Sequence, residues 1–320
     1  MFQAAALAIA LQVAAPIAIL IWLWRRQPAG RVDWFINALA GLSIVIAVTL
    51  IAPWMMVPWQ ASYFYVAAAF AAAARSSRLR QPAQSGSQLR RVSRLIVAGL
   101  FAIVGCGLSG LAVAARYPPR AQVLDVACPF ESGLYLVVSG GSKLLVNAHM
   151  TTLEPAPRFA PWRGQSYGVD LVKLDDFGRR ASGFVSADPS DYFIHGQPVT
   201  APCAGTVVSI ANDRPDMAVA SRDPDRSKLA GNHVLISCSG AELLIAHLLR
   251  DSVRVGIGSH VKAGDPLGLV GNSGNTDEPH LHLSAQRRSE GQALIGGDPV
   301  WLRIDGRFLV RNDRLFCGAL

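Results

Sequence analysis

Lysine is absent from the first 116 residues of this 320-residue chain, and Asp33 is their single acidic residue. The same stretch contains ten arginines, which account for the chain's formal net charge of +8. The remaining residues carry 20 basic and 21 acidic side chains and are close to neutral. Because the excess positive charge is confined to an apolar region, it indicates membrane flanks and not a nucleic-acid surface, so we expect no nucleic-acid partner.

Charged residues are also absent from the interiors of four apolar stretches, at about 4–24, 34–56, 57–74 and 95–115. Each stretch is near the roughly 20 residues that cross a bilayer core. Helices buried in a soluble protein would carry polar faces, which these stretches lack. A transporter or proton relay needs ionisable groups inside its spans, so the region is predicted to be an anchor or a contact site for another membrane protein.

The arginines predict how these four spans are oriented. Arg25, Arg26 and Arg31 lie between spans one and two, six further arginines lie between spans three and four, and residues 52–60 carry no charge. Loops rich in arginine stay in the cytoplasm, so both termini are expected outside it. The first stretch lacks a basic n-region and ends at Arg25-Arg26, which favours a retained span over a cleaved signal peptide. The predicted location is the cytoplasmic (inner) membrane, multi-pass, with a periplasmic C-terminal domain.

Long apolar runs and helical periodicity are missing after Tyr117-Pro118-Pro119. Short β-rich runs at 133–138, 205–210, 233–237 and 242–248, separated by turn residues, predict an antiparallel β domain from about 120 to 320. The predicted fold class is therefore a multi-span α-helical membrane region followed by an all-β, antiparallel domain. We predict a four-span transmembrane region at 1–116, a lead-in β segment at 117–164 and the main β domain at 165–320.

The chain has five cysteines, of which Cys106 lies in the fourth apolar stretch. Cys128, Cys203, Cys238 and Cys317 fall on the predicted extracytoplasmic side, where disulfides persist, and they allow three pairings. If 205–210 and 233–237 pair with His233 opposite Val208, the same register places Cys203 opposite Cys238. This favours Cys203–Cys238 and leaves Cys128–Cys317 to join the ends of the domain. Four unpaired thiols are the alternative.

A short polar motif, Pro279-His280-Leu281-His282, follows a glycine-rich run from Gly264 to Gly274. Two histidines at positions i and i+2 of a strand point to the same face. Imidazole is the commonest neutral zinc ligand, so the pair is a candidate metal site. A solvated strand face is the alternative reading of the motif taken alone.

Four motifs follow one another along the chain, and the last of them contains this pair of histidines. They are Tyr167-Gly168-Val169-Asp170, then Gly196 to Pro202 with Gly205 to Val208, then Ala246-His247-Leu248, and then the run from Val253 to His282. Together they resemble the lysostaphin-type (LytM-domain) zinc metallopeptidases over about residues 165 to 285. The resemblance implies an antiparallel β-sheet core crossed by a groove, and hydrolysis of peptide bonds in peptidoglycan.

The resemblance also implies roles for four side chains. Asp170 and His282 correspond to ligands of one zinc ion, and His247 and His280 correspond to the histidines that flank the catalytic water. Zinc lowers the pKa of water toward neutrality and polarises a peptide carbonyl. A nearby imidazole can take a proton or stabilise a developing oxyanion.

One position departs from the family pattern. The family's first zinc ligand is a histidine four residues before the aspartate, where this chain has Ser166. A serine hydroxyl is a poor zinc ligand, so we expect a third ligand from elsewhere. His149 could fold back and His195 could reach in from an insertion, whereas His233 and His260 are expected to be structural or solvated.

The sequence thus favours a membrane-anchored zinc metalloendopeptidase acting on peptidoglycan or another extracytoplasmic peptide. One rival is a cell-wall-binding or amidase-activating module with a degraded metal site, and another is a processing protease for an envelope protein. Two polar insertions, Leu171–Ile194 and Asp213–Gly231, distinguish the chain from the family pattern. Such loops usually lie on the protein surface, and loops beside a groove could narrow the access of substrate to that groove.

Overall fold

The computed structural model describes residues 9–78, 88–119, 121–184, 186–221 and 223–318. It divides into two compact units, one helical over Phe2–Ala114 and one β-rich over Ala115–Leu320. The functional boundaries predicted at residues 117 and 165 remain predictions.

The helical unit contains helices α1 (Ala15–Arg25, continuing a π-helical turn at Ala10–Ala14), α2 (Arg31–Ile51), α3 (Gln60–Arg78) and α4 (Gln88–Ala114). Among the described residues, α2 and α4 are long and apolar enough to cross a membrane, and Ala10–Arg25 is a shorter apolar helix. Large side chains on α4, such as Leu100, Phe101 and Ile103, are exposed. The four-span arrangement is not confirmed and remains a prediction, and residues 4–8 of its first span lie outside the described residues.

The helix ends differ from the predicted spans for local reasons. The second stretch was predicted to reach residue 56, but α2 ends at Ile51, just before Pro53, which lacks a backbone N–H. The third was predicted to begin at residue 57, but α3 begins at Gln60, after Pro58. Between them Trp54 is buried, and its Nε1 donates to the Thr49 carbonyl oxygen at 2.9 Å. The two prolines therefore make the connection between α2 and α3 longer than the hydropathy pattern predicts.

The β unit is built on one large sheet and one small one. Its strands are β1 (Val123–Val126), β2 (Gly133–Ser139), β3 (Val169–Leu174), β4 (Pro198–Thr200), β5 (Gly205–Ala211), β6 (Asn232–Cys238), β7 (Ala241–Leu248), β8 (His260–Val261), β9 (Pro266–Leu269), β10 (Leu281–Arg287), β11 (Asp298–Ile304) and β12 (Arg314–Cys317). The main sheet has the order β12-β2-β3-β10-β7-β6-β5-β8, with β11 pairing β10 and β1, and β4 pairs β9 separately. The predicted antiparallel β architecture is confirmed, although β1 and β11 pair in parallel.

The two faces of the main sheet have different chemistry. Leu281, Leu283 and Ala285 of β10 point into the main apolar core. The alternating residues His282 and Ser284 therefore point to the opposite face. Residues opposite each other on neighbouring strands share a face, so this face collects polar side chains near the centre of the sheet.

The described β unit contains two disulfides, Cys203–Cys238 and Cys128–Cys317, so the predicted pairing is confirmed. The register that suggested it is wrong. Thr206 pairs with Ser237, two positions away from the predicted register, and a bulge between Val207 and Ser209 adds a third, so His233 lies opposite Ala211 rather than Val208. Cys203 and Cys238 are consequently not directly opposite, but their Cα atoms are 6.4 Å apart, within reach of a disulfide.

Candidate metal centre

Asp170 and His282 meet at the centre of the main sheet. They occupy directly opposite positions of the antiparallel pair β3–β10. Their side chains therefore lie on one face, with His282 Nδ1 2.8 Å from Asp170 Oδ1. Both residues are buried. Strand register alone is enough to bring these two predicted ligands together.

His149 completes the group from outside the sheet. It lies on a 3₁₀ helix, Ala148–Leu153, and its Nε2 is 3.2 Å from Asp170 Oδ2. One candidate ligand atom from each of His149, Asp170 and His282 lies within 4.8 Å of the others. Among the four histidines considered for the third position, the structure therefore brings His149 to the site.

The other three histidines have partners elsewhere. His195 Nε2 is 2.7 Å from Asp216 Oδ2, and His260 Nδ1 is 3.0 Å from Thr206 Oγ1. His233 Nδ1 is 3.0 Å from the Gly231 carbonyl oxygen. None of the three belongs to the metal-binding group found among the described residues.

Asn147 holds the start of the helix that carries His149. Its Oδ1 accepts the His149 backbone N–H at 3.2 Å, as an N-cap residue does. Its Nδ2 donates to the carbonyl oxygens of Gly141 and Gly168, at 3.1 and 3.2 Å. Because Gly168 is two residues before Asp170, this fully buried amide joins the helix to the ligand-bearing strand.

Ser166 fastens the other end of the same helix. Thr152 Oγ1 donates to the His149 carbonyl oxygen at 2.8 Å and lies 2.7 Å from Ser166 Oγ. Ser166 Oγ also lies 2.6 Å from the Arg163 carbonyl oxygen. Ser166 is fully buried and is not part of the metal-binding group. This residue, at the position of the family's first zinc ligand, instead supports the helix that carries His149.

Gly168 leaves the space in which the two imidazoles approach each other. The rings of His149 and His282 have centroids 4.7 Å apart. A Cβ atom at position 168 would lie 2.6 Å from His282 Cε1 and 3.3 Å from His149 Cδ2. Any side chain there would displace a candidate ligand.

His247 and His280 lie beside the three candidate ligands. The ring centroid of His247 is 4.7 Å from that of His280 and 5.8 Å from that of His282. His247 Nδ1 is 2.8 Å from the Ser273 carbonyl oxygen, and His280 Nδ1 is 2.8 Å from the Glu278 carbonyl oxygen. A carbonyl can only accept, so each Nδ1 carries a proton, and the neutral tautomer of each ring then has its lone pair on Nε2.

The backbone of His247 is unusual. Its φ is 66°, in the left-handed region that residues other than glycine seldom adopt. Hydrogen bonds on both sides hold it there: its N–H donates to the Ala230 carbonyl oxygen at 3.1 Å, and its own carbonyl accepts from Gly271 N–H at 2.9 Å. Such local strain is commonly found where a side chain is held for function.

The electrostatics keep the Asp170 carboxylate charged and favour the neutral forms of His149 and His247. Burial by itself would raise the pKa of Asp170, but the neighbouring His149, His280 and His282 outweigh it and hold that pKa well below its ordinary value. Burial lowers the pKa of His149 to about 4, against the opposing attraction of Asp170. Burial also lowers the pKa of His247 well below its ordinary value. The site therefore presents one anion and nitrogen lone pairs.

These donors fit a zinc ion. Two imidazoles and a carboxylate are the donor set of many catalytic zinc sites, which keep a fourth position open. If His282 Nε2–H donates to Ser284 Oγ, 3.1 Å away, its Nδ1 lone pair faces the Asp170 carboxylate. Electron-rich atoms converging in this way repel each other unless a cation or a proton lies among them. The other ring nitrogen of His149, the buried Nδ1, has no hydrogen-bond partner among the described residues.

Sequence reasoning did not identify several residues that shape the site. Asn147 and Thr152 position the His149 helix, and the half-buried Arg311 donates to the carbonyl oxygens of Val138 and Leu145 at 3.0 and 3.1 Å. Burial lowers the pKa of Arg311, while nearby Asp170 acts in the opposite direction. These residues are separated from the recognised motifs along the chain, so spacing could not reveal them.

Residues 190–294 match the model of peptidase family M23. This range includes His247, His280 and His282, whereas His149 and Asp170 precede it. No curated protein matches the chain.

Among solved structures, the chain is similar to the catalytic domain of the antimicrobial peptidase lysostaphin from Staphylococcus simulans, at 22% identity over 38% of this chain and 68% of that one, with a TM-score of 0.25. In a longer lysostaphin chain the match covers 40% of the length. A mutant catalytic domain of the prophage-encoded M23 protein EnpA from Enterococcus faecalis is 19% identical over 52% of this chain and 91% of that one, with a TM-score of 0.30.

A zinc-containing peptidase from Vibrio cholerae is 18% identical over 62% of this chain and 39% of that one, with a TM-score of 0.27. These TM-scores are low, so the assignment rests on the family model and not on structural superposition. The chain therefore contains a peptidase family M23 domain.

Proposed function

We propose that this protein is a membrane-anchored zinc metalloendopeptidase that hydrolyses peptide bonds of peptidoglycan on the extracytoplasmic side of the membrane. The observation that carries the proposal is the position of His149. Its Nε2 lies 3.2 Å from Asp170 Oδ2 and takes the place that the Ser166 substitution would otherwise leave without a ligand. In this proposal the chain has three candidate ligands, where the motifs that it shares with the family supply two.

In this proposal His149, Asp170 and His282 hold one zinc ion. When bound, zinc supplies Lewis acidity toward a water molecule and toward the peptide carbonyl. His247 and His280 present Nε2 lone pairs beside the three ligands, because their Nδ1 protons are donated to backbone carbonyls. One of these imidazoles can accept the proton of the attacking water, and the imidazolium that forms can stabilise the developing oxyanion and return the proton to the leaving amine.

Two features support action outside the cytoplasm. Both disulfides of the β unit need an oxidising compartment to form and persist. Two helices of the first unit are long and apolar enough to cross a membrane, and the arginines are concentrated in the first turns of α2 and α4 and in the residues before them. We propose the four-span topology with both termini outside the cytoplasm.

The decisive test measures zinc and hydrolysis together. The full-length chain, purified in detergent and supplied with zinc, is expected to contain one zinc per molecule and to release peptides from purified murein. Zinc-free chain that binds murein without cleaving it would establish the binding module instead. Cleavage of envelope proteins but not of murein would establish the processing protease.

The topology has its own test. A reporter that folds only in the cytoplasm should be active when fused after Gln88 and silent when fused after Leu320. The reverse pattern would contradict the topology and remove peptidoglycan from reach of the domain.

A further inference from the structure

The loop from Gly271 to Glu278 supplies the hydrogen-bond acceptors for both histidines that flank the candidate metal site. The Ser273 carbonyl oxygen accepts from His247 Nδ1, and the Glu278 carbonyl oxygen accepts from His280 Nδ1, both at 2.8 Å. The conformation of this one loop therefore sets the tautomer and the direction of both rings.

The first insertion, Leu171–Ile194, holds one end of this loop through Arg180. Arg180 Nε lies 2.8 and 3.0 Å from the two carboxylate oxygens of Glu278, and its Nη2 lies 2.9 Å from Oε2. The Arg180 side chain is 3% exposed and that of Glu278 is 12% exposed. A buried two-point contact of this kind fixes direction as well as distance. Ala181 pairs with Tyr192 next to this arginine, so a short ladder fixes the segment that carries it.

The second insertion, Asp213–Gly231, holds the other end. Asp216 Oδ1 accepts the Asn272 N–H at 3.0 Å, next to Ser273. Met217 and Asn272 are joined twice, from Met217 N–H to the Asn272 carbonyl at 3.0 Å and from Asn272 Nδ2 to the Met217 carbonyl at 2.7 Å. Farther along, Ala220 N–H donates to the Asp277 carbonyl oxygen at 2.7 Å.

We propose that the two insertions form a brace for the 271–278 loop, in which Arg180 positions His280 through Glu278 and Asp216 positions His247 through Asn272 and Ser273. This inference rests on the proposed function, because it assigns the two rings to the reaction. This positioning role differs from control of substrate access, because the insertions contact the loop whose carbonyl oxygens accept hydrogen bonds from the two rings. Arg180 and Asp216 are positioning residues and do not touch the candidate metal ligands through any described contact.

The two arms of the brace can be tested against each other. Arg180→Lys keeps the charge but loses the two-point contact, and it should lower kcat about 10-fold with KM within about twofold and zinc content unchanged. The double variant Arg180→Met with Glu278→Gln removes both charges together and leaves no unpaired buried charge. It should show the same fall in kcat, with KM and zinc content unchanged, as Arg180→Lys. Arg288→Lys, in the Arg288–Glu242 pair outside the loop, is the matched control and should match the parent.

Nuclear magnetic resonance of histidine-¹⁵N-labelled, zinc-free full-length protein gives a readout that does not depend on activity. The parent should show Nδ1-protonated rings at both His247 and His280. The Arg180 variants should convert His280 to a mixture of tautomers and spare His247, and Asp216→Ala should do the reverse.

Unchanged kcat and an unchanged His280 tautomer in both Arg180 variants would overturn the proposal. So would a rise in KM alone, which would assign the insertions to substrate access, or a loss of zinc, which would assign Arg180 to the fold of the metal site. If the parent neither binds zinc nor cleaves peptide, the proposed function fails, and the tautomers of the zinc-free protein still test the brace.

Discussion

The two halves of the candidate metal site are built in different ways. Asp170 and His282 lie on neighbouring strands and are aligned by backbone register, within a sheet whose other face is the main core. His149 lies on a short 3₁₀ helix and is aligned by a few side-chain hydrogen bonds, from Asn147 and Thr152. A register shift would require a whole strand to move, whereas the helix depends on single hydroxyl and amide groups. The strand half should therefore be rigid and the helix half adjustable.

Removing a ligand from the strand half should have the largest effect. His282→Ala is expected to abolish zinc binding and to lower peptide hydrolysis by at least about 1,000-fold, because the remaining donors are too few to hold the ion. Zinc content and murein digestion measure the two losses. His260→Ala, at an exposed position of the β5–β8 edge, is the control and should keep both. Retention of zinc by His282→Ala would place the metal elsewhere.

Removing His247, which lies beside the strand half, should lower the rate of hydrolysis without loss of zinc. We expect His247→Ala to lower kcat by about 100- to 10,000-fold while zinc content stays at one per molecule, since its ring faces the site without belonging to the ligand group. Parallel metal analysis and turnover on a murein peptide provide the check. Loss of zinc in this variant would move His247 from the reaction to the ligand set.

The helix half is tested by moving its ligand back to the family position. His149→Ala should weaken zinc binding by about 100-fold or more, because one of three donors is lost. Adding Ser166→His to that variant should recover part of the affinity, whereas Ser166→His in the parent chain should not tighten binding, since His149 already supplies the third donor. Competition with a chelator gives the affinities. Equal zinc affinity in the parent and in His149→Ala would exclude His149 as a ligand.

The smallest effect is expected from the hydroxyl groups that hold the helix. Thr152→Val removes the hydrogen bonds to the His149 carbonyl oxygen and to Ser166 Oγ. Zinc affinity should fall about 10-fold, as it does when outer contacts of a ligand are lost. Thr151→Val, on the exposed side of the same helix, loses a hydrogen bond that does not involve His149 and should leave the affinity unchanged. Equal losses in both variants would indicate general destabilisation of the helix.

The same contrast explains what could be predicted from the sequence. Asp170 and His282 were identified through the resemblance to the lysostaphin-type family, whose motifs specify residue type and spacing along the chain, and the short β-rich runs indicated the sheet. His149 stayed one of four candidates, because Asn147-Ala148-His149 has no spacing relationship to Asp170 and its placement depends on Asn147, Thr152 and Ser166 acting together. The β5–β6 register was wrong because the strands pair two positions away from the predicted register and a bulge adds one more, and alternation reveals neither shift.

The disulfides show why a wrong register still gave the right pairing. Cys203 lies just before β5 and Cys238 ends β6, so both cysteines are at the same end of the hairpin in either register. The tolerance of a disulfide for Cα separations of about 4.4–6.8 Å absorbs the shift. Helix ends in the first unit were less predictable, because proline positions override the limits that hydropathy suggests.

The left-handed backbone of His247 has a consequence for the heat resistance of the β unit. Holding a residue other than glycine or asparagine at a φ of 66° costs about 1–2 kcal/mol of folding free energy. Glycine or asparagine at this position would relieve that strain. The backbone conformation therefore favours one of those residues, whereas peptide hydrolysis requires the imidazole. Position 247 is therefore a place where thermal stability and peptide hydrolysis make opposite demands on a single residue.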